Sequence, residues 1–366
     1  MRFKLLLLVF FLLFAGFAFS ATYNVSITGS DSNPGSEAQP FRTIQKCTGM
    51  VSPGDSCIVS AGGYNENVNL SRGGSAGSPV TFKANGAVVT SQINISAPYV
   101  IVDGFDITGT SEAVAWRGMI SVGTGAHYCQ ILNNTLHDVP FDSASGIEFN
   151  KGGNLPSQSA GHCIVKGNII KDIGYVSLFL FGDSHLIENN TFDGANGGGF
   201  DVIQPFGAHH IFRGNYFTNM WENGHHTDII QTFGNNGDSA YDIIFENNTI
   251  TNSEAQLCNL SQDGIADIRD WTFRNNLLVN VAYSCNVYIP NVSFYNNTFI
   301  NTRIDTIFLN INQNDARNAG AASNARVFNN LFVDSGMHAN NSLYSVGAGV
   351  LSTFQANNNY IAGSPP

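Results

Sequence analysis

GAHYCQILNNTL (residues 125–136), AGHCIVKGNII (160–170) and DSHLIENNTF (183–192) read as three copies of one unit. In each, apolar and polar residues alternate, then comes Asn-Asn or Gly-Asn, then an apolar residue two places on. The unit returns as AHHIFRGNYF, YDIIFENNTI, IRDWTFRNNLL, PNVSFYNNTF, NARVFNNLF and STFQANNNYI, and APYVIVDGFDI opens the series. With the second Asn as anchor the copies align on Asn134, Asn168, Asn190, Asn215, Asn248, Asn276, Asn297, Asn330 and Asn359; Phe105 holds that place in the first. The shortest steps are 21, 22 and 25 residues, and the longer ones, up to 34, read as one coil plus a loop insertion. A repeat of that size with strand-like alternation suits a parallel β-solenoid, where each coil buries its apolar face by stacking on the next.

The columns agree. Three places before the anchor stand Val102, Ile131, Val165, Ile187, Phe212, Phe245, Phe273, Phe294 and Val327. Two places after it stand Ile107, Leu136, Ile170, Phe192, Phe217, Ile250, Leu278, Phe299, Phe332 and Ile361. Both read as inward stacks. The anchors form an asparagine ladder, since Asn tolerates left-handed turns and its amide can bond the like amide one coil away. Two places before the anchor, Lys166, Glu188, Arg213, Glu246 and Arg274 alternate in charge. Parallel strands lie about 4.8 Å apart, so this column reads as an outward salt-bridge ladder rather than a set of catalytic bases.

Composition bounds the function. Only 12% of residues are charged and 43% are hydrophobic, with 38 glycines. Gly, Asn and β-branched residues crowd every window, which argues against long helices and for a large β core. The formal charge is -11. An acidic surface argues against a nucleic-acid partner, and a polyanion would need help from a cation.

Residues 1–20 carry Arg2 and Lys4, an apolar run and a small-residue end, AFS. This is the pattern of a secretory signal peptide, which leaves residues 21–366 as one solenoid domain. The protein is expected to be secreted or at the cell surface, without stable membrane insertion after cleavage, and a monomer. Six cysteines in an exported chain point to disulfides. Cys129 and Cys163 fall in one column of adjacent coils, Cys258 and Cys285 look like another stacked pair, and Cys47 and Cys57 then pair locally. His185 and His210 share the column of Cys129 and Cys163 and read as hydrogen-bonded core residues.

GSDSNPGSEAQPFRTIQKCTGMVSPGDSCIVSAGGYNENVNL (residues 29–70) resembles the opening of right-handed parallel β-helix proteins of the pectate-lyase-like superfamily. In that resemblance residues 40–44 (PFRTI) start a capping helix, Gly54 and Asp55 turn into the first strand, and residues 62–66 (GGYNE) follow it. It implies an all-β, single-stranded right-handed parallel β-helix of about ten coils with an N-terminal capping helix. The superfamily holds polysaccharide lyases, glycoside hydrolases, uronan epimerases and non-catalytic surface proteins, so the fold does not choose among them. Many of its lyases use a Lys or Arg base with calcium on clustered acids, and many alginate epimerases carry Asp-Pro-His-Asp; residues 225–228 here read HHTD. Neither device matches.

A second strand column lies earlier in each coil: SGIEFN (145–150), VSLFLFG (176–182), FDVIQPFG (200–207) and TDIIQTFG (227–234). If Ile203 and Ile230 point inward, Gln204, Gln231, Phe206 and Phe233 point outward, with Glu148, Phe179 and Phe181 in line. Aromatic faces pack on sugar C–H surfaces while amides and acids bond hydroxyls. A loop packed over this face would bury the same rings. The turns before these strands, GGGF and WENGHH, bring Asp201, Asp228, Glu222, His225 and His226 to one end of the face.

Three uses follow. Asp201 and Asp228 would hold Ca²⁺ and neutralise a uronate while His226 or His225 abstracts the C5 proton. Alternatively, two carboxylates, with Glu148 or Glu222 taking part, would hydrolyse a glycosidic bond. The His pair as a transition-metal site is weakest, because adjacent strand residues face opposite ways. Lys151 is a further candidate base, with a solvated loop lysine as its other reading. The leading expectation is a lyase of an acidic polysaccharide, the alternatives being a glycoside hydrolase and a non-catalytic binding rod.

Overall fold

The computed structural model describes residues 20–108, 118–140, 144–194, 200–221, 227–233, 237–261, 266–282, 285–302, 307–309, 322–335, 344–346 and 352–363. The signal-peptide reading of residues 1–19 lies outside them, as do Glu222, His225 and His226.

The chain is a right-handed parallel β-helix with three strands to the coil. Strands before the anchor, such as Gln130–Leu132, Ile164–Lys166 and Leu186–Glu188, pair coil on coil as the first sheet. Strands after it, such as Thr135–His137, Ile169–Lys171 and Thr191–Asp193, form the second. Ile147–Phe149, Leu178–Leu180, Ile203–Pro205 and Asp228–Thr232 belong to the third. At the N-terminal end the long strands Ser56–Leu70 and Val80–Ile95 run round the whole coil; the second of them pairs with all three sheets. The segment 62–66 therefore lies within the first of these strands instead of following it.

The capping helix is short, Ile44–Thr48. The Thr43 hydroxyl accepts from the Lys46 N–H at 3.0 Å, and the Glu66 carboxylate accepts from the Ile44 and Gln45 N–H groups at 2.9 Å each. An acid at a helix N-terminus satisfies donors that have no intrahelical partner. Ile44 and Cys47 close the end of the core.

Both expected inward columns are buried from their first members to Val327 and Phe332. Like rings stack between coils, Phe192 on Phe217 at 4.9 Å and Phe273 on Phe294 at 4.8 Å. Ile361, in the last described coil, is 49% exposed although its strand pairs with that of Phe332. The third inward column runs Ile93, Ile120, Ile147, Leu178, Ile203, Ile230, Cys258, Cys285.

The asparagine ladder forms from Asn134 to Asn359. At each rung the side-chain amide and the main-chain N–H both donate to the Oδ1 of the next coil, and Nδ2 also donates to a carbonyl of the preceding coil. The left-handed residue is the one before the anchor: Asn133, Asn189, Asn247 and their equivalents, with Gly167 and Gly214 where the pair reads Gly-Asn. The anchor bonds and its neighbour turns.

Outside, Glu188 lies 2.9 Å from Lys166 and 3.9 Å from Arg213, and Glu246 accepts from Arg213 and Arg274 at 2.6 Å each. The charged column is a surface ion-pair ladder.

One cysteine pairing is corrected. Cys47–Cys57 and Cys258–Cys285 are disulfides, but Cys129 and Cys163 are buried free thiols. Each thiol donates to a main-chain carbonyl instead, Cys129 Sγ to Ala97 O at 3.3 Å and Cys163 Sγ to Ala126 O at 3.2 Å. The same column makes a second ladder: the N–H groups of Cys129, Cys163 and His185 donate to Cys163 Sγ, His185 Nδ1 and His210 Nδ1 respectively. His185 and His210 stack at 5.1 Å in the core, as the sequence pattern implies.

Candidate functional site

The outer side of the third sheet carries one row of side chains in register. Asn69 pairs with Asn94, Asn94 with Ser121, Ser121 with Glu148, Glu148 with Phe179, and Phe179 with Gln204. The pairing of Ile203 with Ile230 sets Gln231 beside Gln204, and Asn259 and Asn286 continue the row. Alternation produces it: Ile147, Leu178, Ile203 and Ile230 are buried inward, so the next residue along each strand points the other way, with Ser121 and Gln204 nearly covered at 5% and 9% exposure. Amides, a carboxylate and a ring thus stand about 4.8 Å apart along the axis.

The phenylalanines form a cluster at the far end of these strands. Phe206 stacks on Phe181 at 5.0 Å, Phe179 lies 5.3 Å from Phe181, and Phe233 meets Phe206 edge-on at 5.4 Å. Phe206 is only 2% exposed, and Phe181 is also buried; Phe179 and Phe233 are half-buried. Residues 153–156 and Ser159 line a small space with Phe181 and Phe206, and Ser239 Oγ donates to Asn154 O at 3.3 Å. The loop after Ile147–Phe149 therefore reaches over the rings toward the strand Ser239–Glu246. Gly182 and Gly207 stack beneath it with φ of +124° and +107°, and a Cβ at either would come within 1.9 Å of a main-chain oxygen. Lys151 strengthens the covering: its ammonium is ion-paired with the buried Asp238 carboxylate and sits 5.8 Å from the Phe181 ring.

Asp201 and Asp228 stand one coil apart and both are buried. Asp201 Oδ1 accepts from the Asp228 N–H at 3.0 Å, and Oδ2 accepts from Gln204 Nε2 at 2.8 Å. Asp201 thus orients Gln204 in the outer row and fixes the start of the next strand. Calcium takes 6–8 oxygen ligands, several of them from carboxylates. Among the described residues no three His, Cys, Asp or Glu side chains cluster, and N–H donors occupy both Asp201 oxygens. The described residues alone do not fit the ion, and no step below passes through it. His225 and His226 immediately precede Thr227 and Asp228 but lie outside the described residues.

One feature was not read from the sequence. Where the second sheet turns into the third, Ile173, Tyr175, Ser177, Asp193, Phe200 and Trp221, with Met220 and Thr227, line a shallow recess open to solvent. Tyr175 meets Phe200 edge-on at 4.7 Å, and Trp221 is 38% exposed. The signal was an aromatic residue in each turn, GYV, GGGF and MWENG, between strands that themselves aligned.

Residues 27–70 match a family described as "Protein of unknown function (DUF1565)". A protein of Bacillus subtilis (strain 168), "Uncharacterized protein YwoF", is 26% identical over 149 residues, 41% of this chain and 28% of that protein. The match spans little more than a quarter of that relative's length. Among solved structures, a GH136 lacto-N-biosidase from Eubacterium ramulus superposes with a TM-score of 0.61 at 13% identity, over 93% of this chain and 68% of that one. A mannuronic acid specific polysaccharide family 6 lyase from human gut microbiota gives 0.56 at 14% identity, over 93% and 83%. A rhamnogalacturonan lyase gives 0.55 at 16% identity, over 93% and 87%. What this chain shares with them is the β-helix, and the resemblance to the pectate-lyase-like superfamily holds at that level.

Proposed function

We propose that this chain is an exported carbohydrate-active enzyme that binds a polysaccharide along the outer row of the third sheet and cleaves a uronate-containing polymer by β-elimination. The observation that carries the reading is the row itself. Glu148, Phe179, Gln204, Gln231 and Asn259 face one way in consecutive coils, and Asp201 holds the Gln204 amide. Repeated amide donors suit a chain of carboxylates and hydroxyls, and the half-buried Phe179 and Phe233 suit sugar C–H faces.

β-Elimination breaks the C5–H and C4–O bonds of a uronate. A base takes the C5 proton, charge develops on the carboxylate, the C4–C5 double bond forms, and the C4 oxygen leaves with a proton returned by the protonated base or by water. Donors aimed at the carboxylate stabilise that charge as it grows; Gln204, Gln231 and Asn259 are placed for this task. The base falls to His226 or His225, which precede Asp228 by two and three residues in the sequence. Lys151 is committed to Asp238, which makes it a loop latch in this reading instead of a base. Hydrolysis on the same face is the alternative, with Glu148 as one carboxylate. The fold is shared with solved lyases and with a lacto-N-biosidase, which is compatible with both.

The test is product analysis on uronate-containing and neutral polysaccharides, with and without calcium. Ultraviolet absorbance of the unsaturated product and reducing ends are followed together. Both rising, with loss in His226→Ala and a large drop in Gln204→Ala, supports elimination. Reducing ends without absorbance select hydrolysis. Neither signal over the whole panel leaves the non-catalytic rod.

A further inference from the structure

The recess between the second and third sheets has no part in the elimination chemistry. We propose that it is a binding subsite for a single neutral pyranose unit, separate from the row that holds the uronate backbone. The proposal rests on the carbohydrate reading above and extends it to a second kind of sugar.

Position comes first. Ser177 and Val202 line the recess and stand two residues before Phe179 and Gln204, immediately ahead of the strands Leu178–Leu180 and Ile203–Pro205. With a rise of about 3.3 Å per residue, the recess lies about 7 Å from the row. That distance suits a neighbouring or branching unit of one polymer. The lining comes second. Tyr175, Phe200 and the partly exposed Trp221 supply ring surface, and Ile173, Val202 and Met220 supply the rest of an apolar wall. Aromatic rings beside a few placed polar groups are the usual composition of a small-molecule site, and a pyranose presents both C–H faces and hydroxyls.

Two polar features narrow the ligand. Thr227 is 4% exposed and lines the recess, and its Oγ1 has no hydrogen-bond partner among the described residues. Buried hydroxyls are nearly always bonded, so this one is matched to a partner that arrives with a ligand. Among the described residues the charged one in the lining is Asp193, anchored by Asn219 Nδ2 at 3.1 Å, and no Lys or Arg joins it. A carboxylate accepts from sugar hydroxyls and repels a uronate. The recess therefore selects an uncharged sugar, whereas the amide row accepts the acidic one.

The full chain is titrated calorimetrically with methyl glycosides of glucose, galactose, mannose, xylose, rhamnose and N-acetylglucosamine, and with methyl glucuronide and galacturonide. At least one neutral glycoside binds saturably, and its uronate counterpart binds at least tenfold more weakly. Thr227→Val weakens the neutral ligand by about three- to tenfold, as for one lost hydrogen bond, and Thr227→Ser restores it. Trp221→Ala removes binding, with unchanged circular dichroism showing that the coil survives. Uronates binding as tightly as neutral glycosides would overturn the proposal, as would wild-type affinity in Trp221→Ala or no saturable binding at all. Polymer cleavage without glycoside binding sinks the subsite and leaves the enzyme reading intact. Trp221-dependent glycoside binding without any cleavage does the reverse.

Discussion

Replacing Asn215 by Leu tests what holds the coils in register. Asn215 is 1% exposed in the middle of the ladder. Its Oδ1 accepts from the Asn190 N–H at 2.9 Å and from Asn190 Nδ2 at 3.0 Å; its Nδ2 donates to Ile187 O at 2.9 Å and to Asn248 Oδ1 at 3.0 Å. Leucine fills a similar volume and makes none of these bonds. Asn190 Nδ2 keeps Val165 O, and Asn248 Oδ1 keeps the main-chain N–H of residue 215. The Asn190 main-chain N–H is left with nothing. One orphaned buried donor costs about 1–3 kcal/mol, and three further lost bonds cost about 0.5–1.5 kcal/mol each. Burying the leucine returns about 1.5–3 kcal/mol, so the middle of these ranges leaves a net loss of about 3 kcal/mol. Urea unfolding followed by tryptophan fluorescence measures it, with Trp271 fully buried in the first sheet, which leads into this turn. Asn359→Leu, at a half-buried rung where water can substitute, should cost clearly less. A loss at Asn215 below about 1 kcal/mol, no larger than surface substitutions usually give, would refute the ladder as a stabilising element.

Three further outcomes are expected. His210 is neutral in the core, Nδ1 accepting from the His185 N–H and Nε2 donating to Phe206 O, and burial pushes its pKa down to about 4. The folded value lies below the unfolded one of about 6.5, so its contribution is complete above that pH and lost as pH falls towards 4. The loss is about 3 kcal/mol; His210→Phe should flatten this part of the urea midpoint's pH dependence, and an unchanged slope counts against the assignment. Unfolded without reductant, the chain should show two reactive thiols mapping to Cys129 and Cys163, and finding none would mean that they are bonded to each other. Lys151→Ala strands the buried Asp238 carboxylate and should loosen the loop by about 1–2 kcal/mol. Faster hydrogen exchange at Gly152 and Leu155, whose N–H groups donate to Ser159 Oγ and Gln158 Oε1, would report it; protection equal to wild type would show that the latch holds nothing.

The solenoid was legible because its stabilising features repeat. One alternating pattern, one apolar residue two places past an Asn, and one alternation of charge recur in successive coils, and each recurrence is a contact in the structure. The outward positions of Gln204 and Gln231 followed from the same alternation, because strand periodicity is two and their neighbours Ile203 and Ile230 are apolar. Alternation gives out where the strand ends. Phe206 counts as outward by parity, yet the covering loop, whose Ser239–Asn154 contact joins residues 85 apart, buries it. Nothing near residue 206 in the sequence announces that loop.

The sequence by itself determined the coil path, the inward columns, the asparagine and ion-pair ladders and the face on which amides and a carboxylate line up. These depend on separations that recur every 21 to 34 residues, and stacking at a fixed spacing turns a column into a contact. Tertiary structure alone decided that Cys129 and Cys163 donate to carbonyls and stay unbonded, that Lys151 latches Asp238, and that Tyr175, Phe200 and Trp221 meet in one recess. Each of these depends on where a turn or an insertion sends its side chains. Turns do not repeat from coil to coil, so no periodicity records their direction.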